Sequence, residues 1–427
     1  MKIALIGNMN NNNFSIMRYF RDNGVDAHLL LYSNDGINDL SHFSPENDTL
    51  DFNKWEPYIH LTKIPNAINS GASFPYSLLF YLRSLLMFIL KKQNTYIPYI
   101  SNKLISDSFK GYDLYISSGI TPACFNRINL KLDIFYPYST GIEYIEGDGT
   151  AGVMIKNNLS KIFFNHVKKN QISGIRKSKI IINPDFNITE KVLKKNNINF
   201  LNLPIPLLYN NENFNINIKK LNFTFPDLTK SNFILLHHSR LIWNKPDNIE
   251  LNDWKKISKN NNWLFIEFAK FINLNPDLRP ILLVVEYGPD VNETKILIEK
   301  LNLSEYVFWL PIMPRYQIMS ILKYVTIGVG EFYDLSKIIW GGAGYEVLAS
   351  GKPLLQSFDF DIDEFSTIYK IPEPPLLKVV KQSDILPHLL KIYTDINYKQ
   401  LIGKNAKEWF NKYNGIGLAK KWLDLIQ

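Results

Sequence analysis

Cysteine is almost missing from this chain of 427 residues, where Cys124 stands alone. An internal disulfide is thereby excluded, and no Cys or His group has the spacing of a structural metal site, so no metal is expected. A reduced, cytoplasmic setting follows as the expectation. Long apolar runs are scarce too. The strongest, YSLLFYLRSLLMFILKK at 76–92, is too short to span a bilayer and carries Arg83. It reads either as a buried helix of an α/β domain or as an amphipathic helix making a peripheral contact with the inner face of a membrane, ending in Lys91 and Lys92. The opening MKIALIGNMN predicts a first strand and not a signal peptide. No basic stripe is interleaved with aromatics, so no nucleic-acid partner is expected. No repeat of solenoid length is present.

What remains is a chain able to build full cores, with 46% hydrophobic and 14% aromatic residues. Its length suits two domains of about 200 residues each. The net charge of +8 suits acidic partners such as nucleotides, pyrophosphates or lipid headgroups without choosing among them. Short apolar runs (KIALIG, VDAHLLLY, YDLYISSG, LDIFYPYS and SKIIINP) alternate with helical stretches in the first half. Residues 201–230, rich in Pro and Asn, read as a connection between domains. Alternation then restarts with NFILLHHSR, PILLVVEYGP, YVFWLP and VTIGVGEF, each followed by a helical period. Strands alternating with helices predict two doubly wound parallel sheets, with ligands beyond the carboxyl ends of the strands.

The stretch WGGAGYEVLASGKPLLQSF, at 340–358, concentrates chemistry there. Gly341, Gly342 and Gly344 allow a ligand close to the backbone, and a helix starting among them turns unpaired N–H groups toward an anion. Gly351 predicts the left-handed cap that closes this helix, and Pro353 cannot continue it. Arg240 stands at the mouth of a predicted strand and Lys259 just before a predicted helix. Alone, either is an ordinary surface cation; in order with the glycine-led helix they would cradle a diphosphate. His237 and His238 are adjacent on a strand, so they face opposite sides and at most one enters a site. GNMNNNNF, from Gly7 to Phe14, lacks a full dinucleotide fingerprint, but Gly7, Asn8 and Asn10 would face a cleft. Ser118 and Gly119 in SSGITPA, and Glu143 in YSTGIEYIEGDG, are further cleft candidates.

These elements resemble the donor half of GT-B retaining glycosyltransferases, specifically glycosyltransferase family 4. The resemblance rests on SRL with Arg240, KNNNWLFIEFA with Lys259, LLVVEYGPD with Gly288, YVFWLP, and YEVLASGKPLL with Glu346, Gly351 and Pro353. It is good over 178–360, while the first 170 residues share only the strand order. It implies two Rossmann-like domains facing a central cleft. The expected acceptor-binding domain is 1–205, with the C-terminal helix 408–427 packing back on it, and the donor-binding domain is 206–407.

The resemblance further implies that Arg240 and Lys259 hold the donor pyrophosphate and that Glu346 accepts hydrogen bonds from the ribose. Ser239, Gly288, Gly342, Ala343, Gly344 and Tyr345 would line the donor site. The substrates would be a nucleotide sugar and a glycan or lipid-linked acceptor, in cell-surface polysaccharide or glycoconjugate synthesis, with no cofactor. Three departures stand out. Ile338 occupies the position of the family's first Glu, for which Glu331 or Asp334 would substitute. Ser239 replaces a Gly, and Asn260 replaces the Gly after the Lys. They leave open an inactive nucleotide- or glycan-binding relative, beside a sugar-nucleotide epimerase. On the transferase reading, Arg240→Ala, Lys259→Ala and Glu346→Gln alter ligand handling with little loss of fold.

Overall fold

The structure, a computed structural model, describes residues 1–32, 44–64, 102–137, 142, 158–184, 188–214, 216, 221, 223, 226–333 and 341–427. The stretch 76–92 lies outside them. Two compact units divide the chain, Met1–Tyr209 with Leu418–Gln427, and Asn210–Gly417. The division at 209/210 falls inside the 201–230 connection, and residues 408–417 group with the second unit.

In the first unit, β1 (Lys2–Ile6), β2 (Asp26–Leu31), β3 (Ile59–Leu61), β4 (Leu114–Ser117), β5 (Ile134–Phe135), β6 (Ile180–Asn183) and β7 (Leu201–Asn202) form one sheet. Their order is β3-β2-β1-β4-β5-β6-β7, and neighbouring strands run parallel. Described helices are α1 (Asn12–Asp22), α2 (Phe52–Trp55), α3 (Asn102–Phe109), α4 (Thr121–Arg127), α5 (Asn158–Lys177) and α6 (Ile188–Lys195). Asn10 and Asn11 lead into α1 with φ of 51° and 59°, a conformation Asn tolerates better than most residues. The strand β7 corrects the reading of 201–230 as connection throughout.

The second unit holds β8 (Ile234–His237), β9 (Ile281–Val285), β10 (Val307–Leu310), β11 (Ile327–Val329), β12 (Leu354–Ser357) and β13 (Leu377–Val379). Their order is β10-β9-β8-β11-β12-β13, again parallel. The helices are α7 (Leu251–Ile257), α8 (Asn262–Leu274), α9 (Val291–Lys300), α10 (Arg315–Leu322), α11 (Gly342–Ala349), α12 (Glu364–Tyr369), α13 (Ile385–Thr394) and α14 (Ile396–Tyr413). β8, β9 and β12 are buried along their whole length, as parallel strands covered on both faces must be. Phe265, Phe268 and Phe271 of α8 share a buried cluster with Leu235, Leu282 and Val284. Each such ring contributes about 1.5–3 kcal/mol through burial.

Chain order fixes where a site can form. The sheet starts at β8, grows outward to β10, and then crosses to the other side of β8 to continue with β11. The loops leaving β8 and β11 therefore turn to opposite faces, which opens a crevice between neighbouring strand ends. The glycine-led helix α11 follows β11 and ends as its sequence predicts. Gly351 takes φ of 70° and donates to the Leu348 carbonyl at 3.0 Å, while Lys352 donates to Val347.

The last helix, α15 (Ile416–Asp424), starts after a break at Gly415, as expected. From Leu418 on it belongs to the first unit. Its Trp422 is fully buried there, donates to the Pro204 carbonyl at 3.0 Å and packs edge-on against Tyr136. Among the described residues, no helix is long and apolar enough to cross a membrane.

Candidate functional site

His238, Ser239 and Arg240 follow directly on β8, and Glu331 follows β11, so they flank the crevice. The Ser239 hydroxyl donates to the Gly330 carbonyl at 3.2 Å and ties the two strand exits together. Glu331 is fixed through its backbone: its N–H donates to Gln356 Oε1 at 2.9 Å, and its carbonyl accepts from Gln356 Nε2 and from the Ser357 N–H. Its carboxylate is nearly buried and divided between two donors, Lys259 Nζ on one oxygen and the Tyr333 hydroxyl on the other.

Lys259 reaches that position because its backbone is anchored just before α8. Its N–H donates to the Ile242 carbonyl, and its own carbonyl accepts from Phe332 N–H at 3.2 Å. Burial first, and then the neighbouring Arg240 charge, pull the Lys259 ammonium below the usual lysine range. Arg240 itself is exposed, and among the described residues it forms no ion pair. The two cations named from the sequence are thus electrostatic neighbours, one held by Glu331 and one facing solvent.

A second cluster lies at Glu346 on α11. Its Oε2 accepts from His238 Nε2 at 2.8 Å and its Oε1 from Arg315 Nε at 2.7 Å. Burial opposes ionisation, but the Arg315 charge and the His238 hydrogen bond outweigh it and hold the carboxyl at about 2. The adjacent histidines do face opposite ways. His237 is bound by Asn261 Nδ2 at 2.9 Å, and burial followed by the His238 charge lowers it to about 3, so it is a neutral core residue.

The start of α11 lies against both carboxylates. A Cβ at Gly341 would stand 3.5 Å from Glu331 Oε2, and one at Gly342 would stand 3.5 Å from Glu346 Oε1 and 3.4 Å from Arg315 Nη2. Gly341 is the N-cap and, as a glycine, offers no side chain to cap this helix. Gly342 and Ala343 are half-buried, while Gly344 and Tyr345 are buried and Tyr345 packs toward Phe410. A helix start with a glycine N-cap, set between two carboxylates each paired with a cation, one of them Lys259, is a setting for a phosphate.

Other candidates have internal uses. Gly288 has φ of 123°, and a Cβ there would lie 2.3 Å from the Leu241 carbonyl oxygen, so its missing side chain accommodates the chain just after Arg240. In the first unit, Gly7 has φ of 77°, and Asn8 bonds Asn11 Oδ1 and the Phe14 N–H, which builds the turn into α1. Asn10 is half-buried in that turn. The Ser118 carbonyl accepts from Thr121 Oγ1, and the Gly119 carbonyl from Gln171 Nε2. These loops leave β1 and β4, neighbours at the first unit's own switch point. Asn12, beside them, is buried, and among the described residues neither of its amide atoms has a partner. Glu143, Asp334 and Ile338 lie outside the described residues. Among the described residues, no group of three or more His, Cys, Asp or Glu could hold a metal ion.

Sequence reasoning missed Arg315 and Tyr333. Arg315 is the first residue of α10, preceded by Pro314. A cation there opposes the helix dipole, which is itself a sign that a carboxylate waits nearby.

No family model matches the sequence, and no curated protein sequence matches it significantly. Solved structures match over the whole chain. HepE from Anabaena, in complex with UDP and glucose, has a TM-score of 0.56 at 12% identity, covering 100% of this chain and 99% of its own. Sucrose-phosphate synthase from Thermosynechococcus elongatus gives 0.53 at 13% identity, with 100% and 98% covered. A Listeria monocytogenes protein named for UDP-N-acetylglucosamine 2-epimerase gives 0.50 at 10% identity, with 100% and 95% covered. The shared architecture is the GT-B fold, two Rossmann-like α/β units with parallel sheets.

Proposed function

We propose that this chain is a glycosyltransferase that moves a sugar from a nucleotide-diphosphate donor to a glycan or lipid-linked acceptor, with retention, as the resemblance to glycosyltransferase family 4 implies. The observation that carries the reading is the convergence at the β8/β11 switch point. Lys259, held on Glu331, and one ionised carboxylate, Glu346, flank the glycine start of α11, and Arg240 is the electrostatic neighbour of Lys259. HepE, of the same fold, was solved with UDP-glucose, which supports uridine diphosphate sugars as the first donors to test.

On this reading the second unit binds the donor. As the bond between sugar and phosphate oxygen breaks, negative charge gathers on the departing diphosphate. Cations and N–H groups already in place stabilise that charge without reorganising, which lowers the barrier. Arg240, Lys259 and the N–H groups of Gly342, Ala343 and Gly344 supply this. Glu346 accepts hydrogen bonds from the ribose hydroxyls. Glu331 stands in for the carboxylate missing at Ile338 and holds Lys259 in place before the phosphate arrives. The first unit binds the acceptor through Gly7, Asn8, Asn10, Ser118 and Gly119, at the cytoplasmic side of a membrane.

The test is a panel of UDP-, GDP- and ADP-sugars with the purified protein, followed by nucleotide release and product analysis. Release of a nucleoside diphosphate from one donor supports the assignment. Tight nucleotide binding with no turnover of any donor identifies a non-catalytic binding protein. Conversion of a donor into its epimer identifies the second reading, which the likeness to the epimerase structure favours.

A further inference from the structure

A carboxylate as buried as Glu346, whose side chain is 7% exposed, is a poor hydrogen-bond acceptor unless something keeps it charged. Burial alone favours the protonated acid. Two groups from separate elements oppose this, Arg315 on one oxygen and His238 on the other. A carboxylate oxygen has two lone-pair directions, so each oxygen still has one to offer a ligand. Gly342 keeps one approach open. It has no positive φ, and a methyl there would fit at ordinary contact distance from Oε1 and from Arg315 Nη2. Neither backbone strain nor collision with the protein demands a glycine at this position. Its effect is to leave the space before the carboxylate unfilled.

We propose that Arg315 and His238 are positioning residues that hold Glu346 ionised and aimed past Gly342, so that it accepts hydrogen bonds from the vicinal diol of a bound nucleoside. The proposal rests on the reading of Glu346 as a ribose ligand and identifies what makes such a buried carboxylate serviceable. Arg315 and His238 act through Glu346. The other charged groups around α11 are the Glu331–Lys259 pair beyond Gly341, and Lys352 and Lys407 at its far end by Gly351. The two residues in direct contact set the charge.

Calorimetric titration of the full chain with UDP, GDP and ADP, and with their 2′-deoxy counterparts, from pH 8 to pH 5 tests this. The wild type should prefer a ribonucleotide by about tenfold or more, with affinity that does not weaken toward pH 5. Arg315→Met should lower ribonucleotide affinity about tenfold, shrink the preference to about threefold or less, and lose affinity toward pH 5 as Glu346 takes up a proton. Arg315→Lys should restore part of the preference, and His238→Gln, which keeps a donor, should fall between. Should Arg315→Met not fold, Arg315→Lys and His238→Gln carry the same readouts. An unchanged preference and pH profile in these variants overturns the proposal, even if melting temperature falls, because a purely structural role moves stability alone. A wild type that binds a nucleotide without ribose preference overturns it as well. A wild type that binds none of the nucleotides overturns the nucleotide reading itself.

Discussion

His238 and Glu346, 108 residues apart in sequence, meet with Nε2 2.8 Å from Oε2. The carboxylate accepts, so Nε2 carries the hydrogen, and Nδ1 is buried with no partner among the described residues. The contact joins the exit of β8 to α11 and closes one side of the crevice at the switch point.

Acid stability should report this pair. The Glu346 carboxyl lies at about 2 in the fold, against 4.5 ordinarily, because Arg315 and His238 outweigh the effect of burial. A depressed carboxyl pKa stabilises the fold fully above pH 4.5, and the contribution is lost as pH falls from 4.5 toward 2. The displacement corresponds to about 3 kcal/mol. Denaturant unfolding should find Glu346→Gln less stable than wild type by that order at pH 7, with the gap closing below about pH 4. A gap that ignores pH would remove the ion pairs as its source.

Arg240 and Lys259 should separate when each is truncated. Both variants should weaken nucleoside-diphosphate binding by about 1.5–3 kcal/mol, the size of a lost charge-assisted contact. Lys259→Ala also strands the Glu331 carboxylate, so its stability should fall by about 3–5 kcal/mol. Arg240→Ala, at an exposed side chain, should melt within a degree or two of wild type. Equal melting temperatures for the two variants would contradict the Lys259–Glu331 pairing.

Two glycines of the second unit should behave oppositely. Gly288→Ala forces a methyl into the Leu241 backbone at a φ that L-residues avoid, so expression and melting temperature should drop sharply. Gly342→Ala meets only ordinary contacts and removes a helix-start glycine, so stability should hold or rise slightly. Nucleotide affinity in that variant should fall, since the methyl shadows Glu346 Oε1. Unimpaired binding in folded Gly342→Ala would show that ligands do not approach from that side.

Asn12 offers a test in the first unit. Both amide atoms are buried without partners among the described residues, and leaving two such groups unsatisfied costs about 1–3 kcal/mol each. Asn12→Leu, close in shape, should therefore raise the melting temperature. A loss of stability would mean that the amide is satisfied in solution.

Arg240, Lys259 and Glu346 were legible in the sequence because each follows an apolar strand or borders a helix signal. Their partners were not. Arg315 pairs with a carboxylate 31 residues away, and only the fold brings α10 beside α11. The edge strands β3 and β13, of three residues each, and β7, of two, are too short to show alternation. Burial was equally hidden. From sequence, Lys259→Ala and Glu346→Gln read as changes to function alone. Once Glu346 is seen in a buried ion pair and Lys259 in a part-buried one, the same substitutions become stability mutations too. Gly288 was read from the sequence as a donor contact, and the fold uses its bare backbone to seat Leu241.

The placement of Trp422 has a consequence in time. A ribosome makes residues 1–209 before the second unit, yet the core around Tyr136 and Pro204 lacks its indole until α15 emerges. Every residue of the second unit is synthesised before then, as one uninterrupted stretch from Asn210 to Gly417. Residues 1–209 are thus made before the second unit and completed after it. During synthesis the place of that indole stays unfilled while the whole second unit is made.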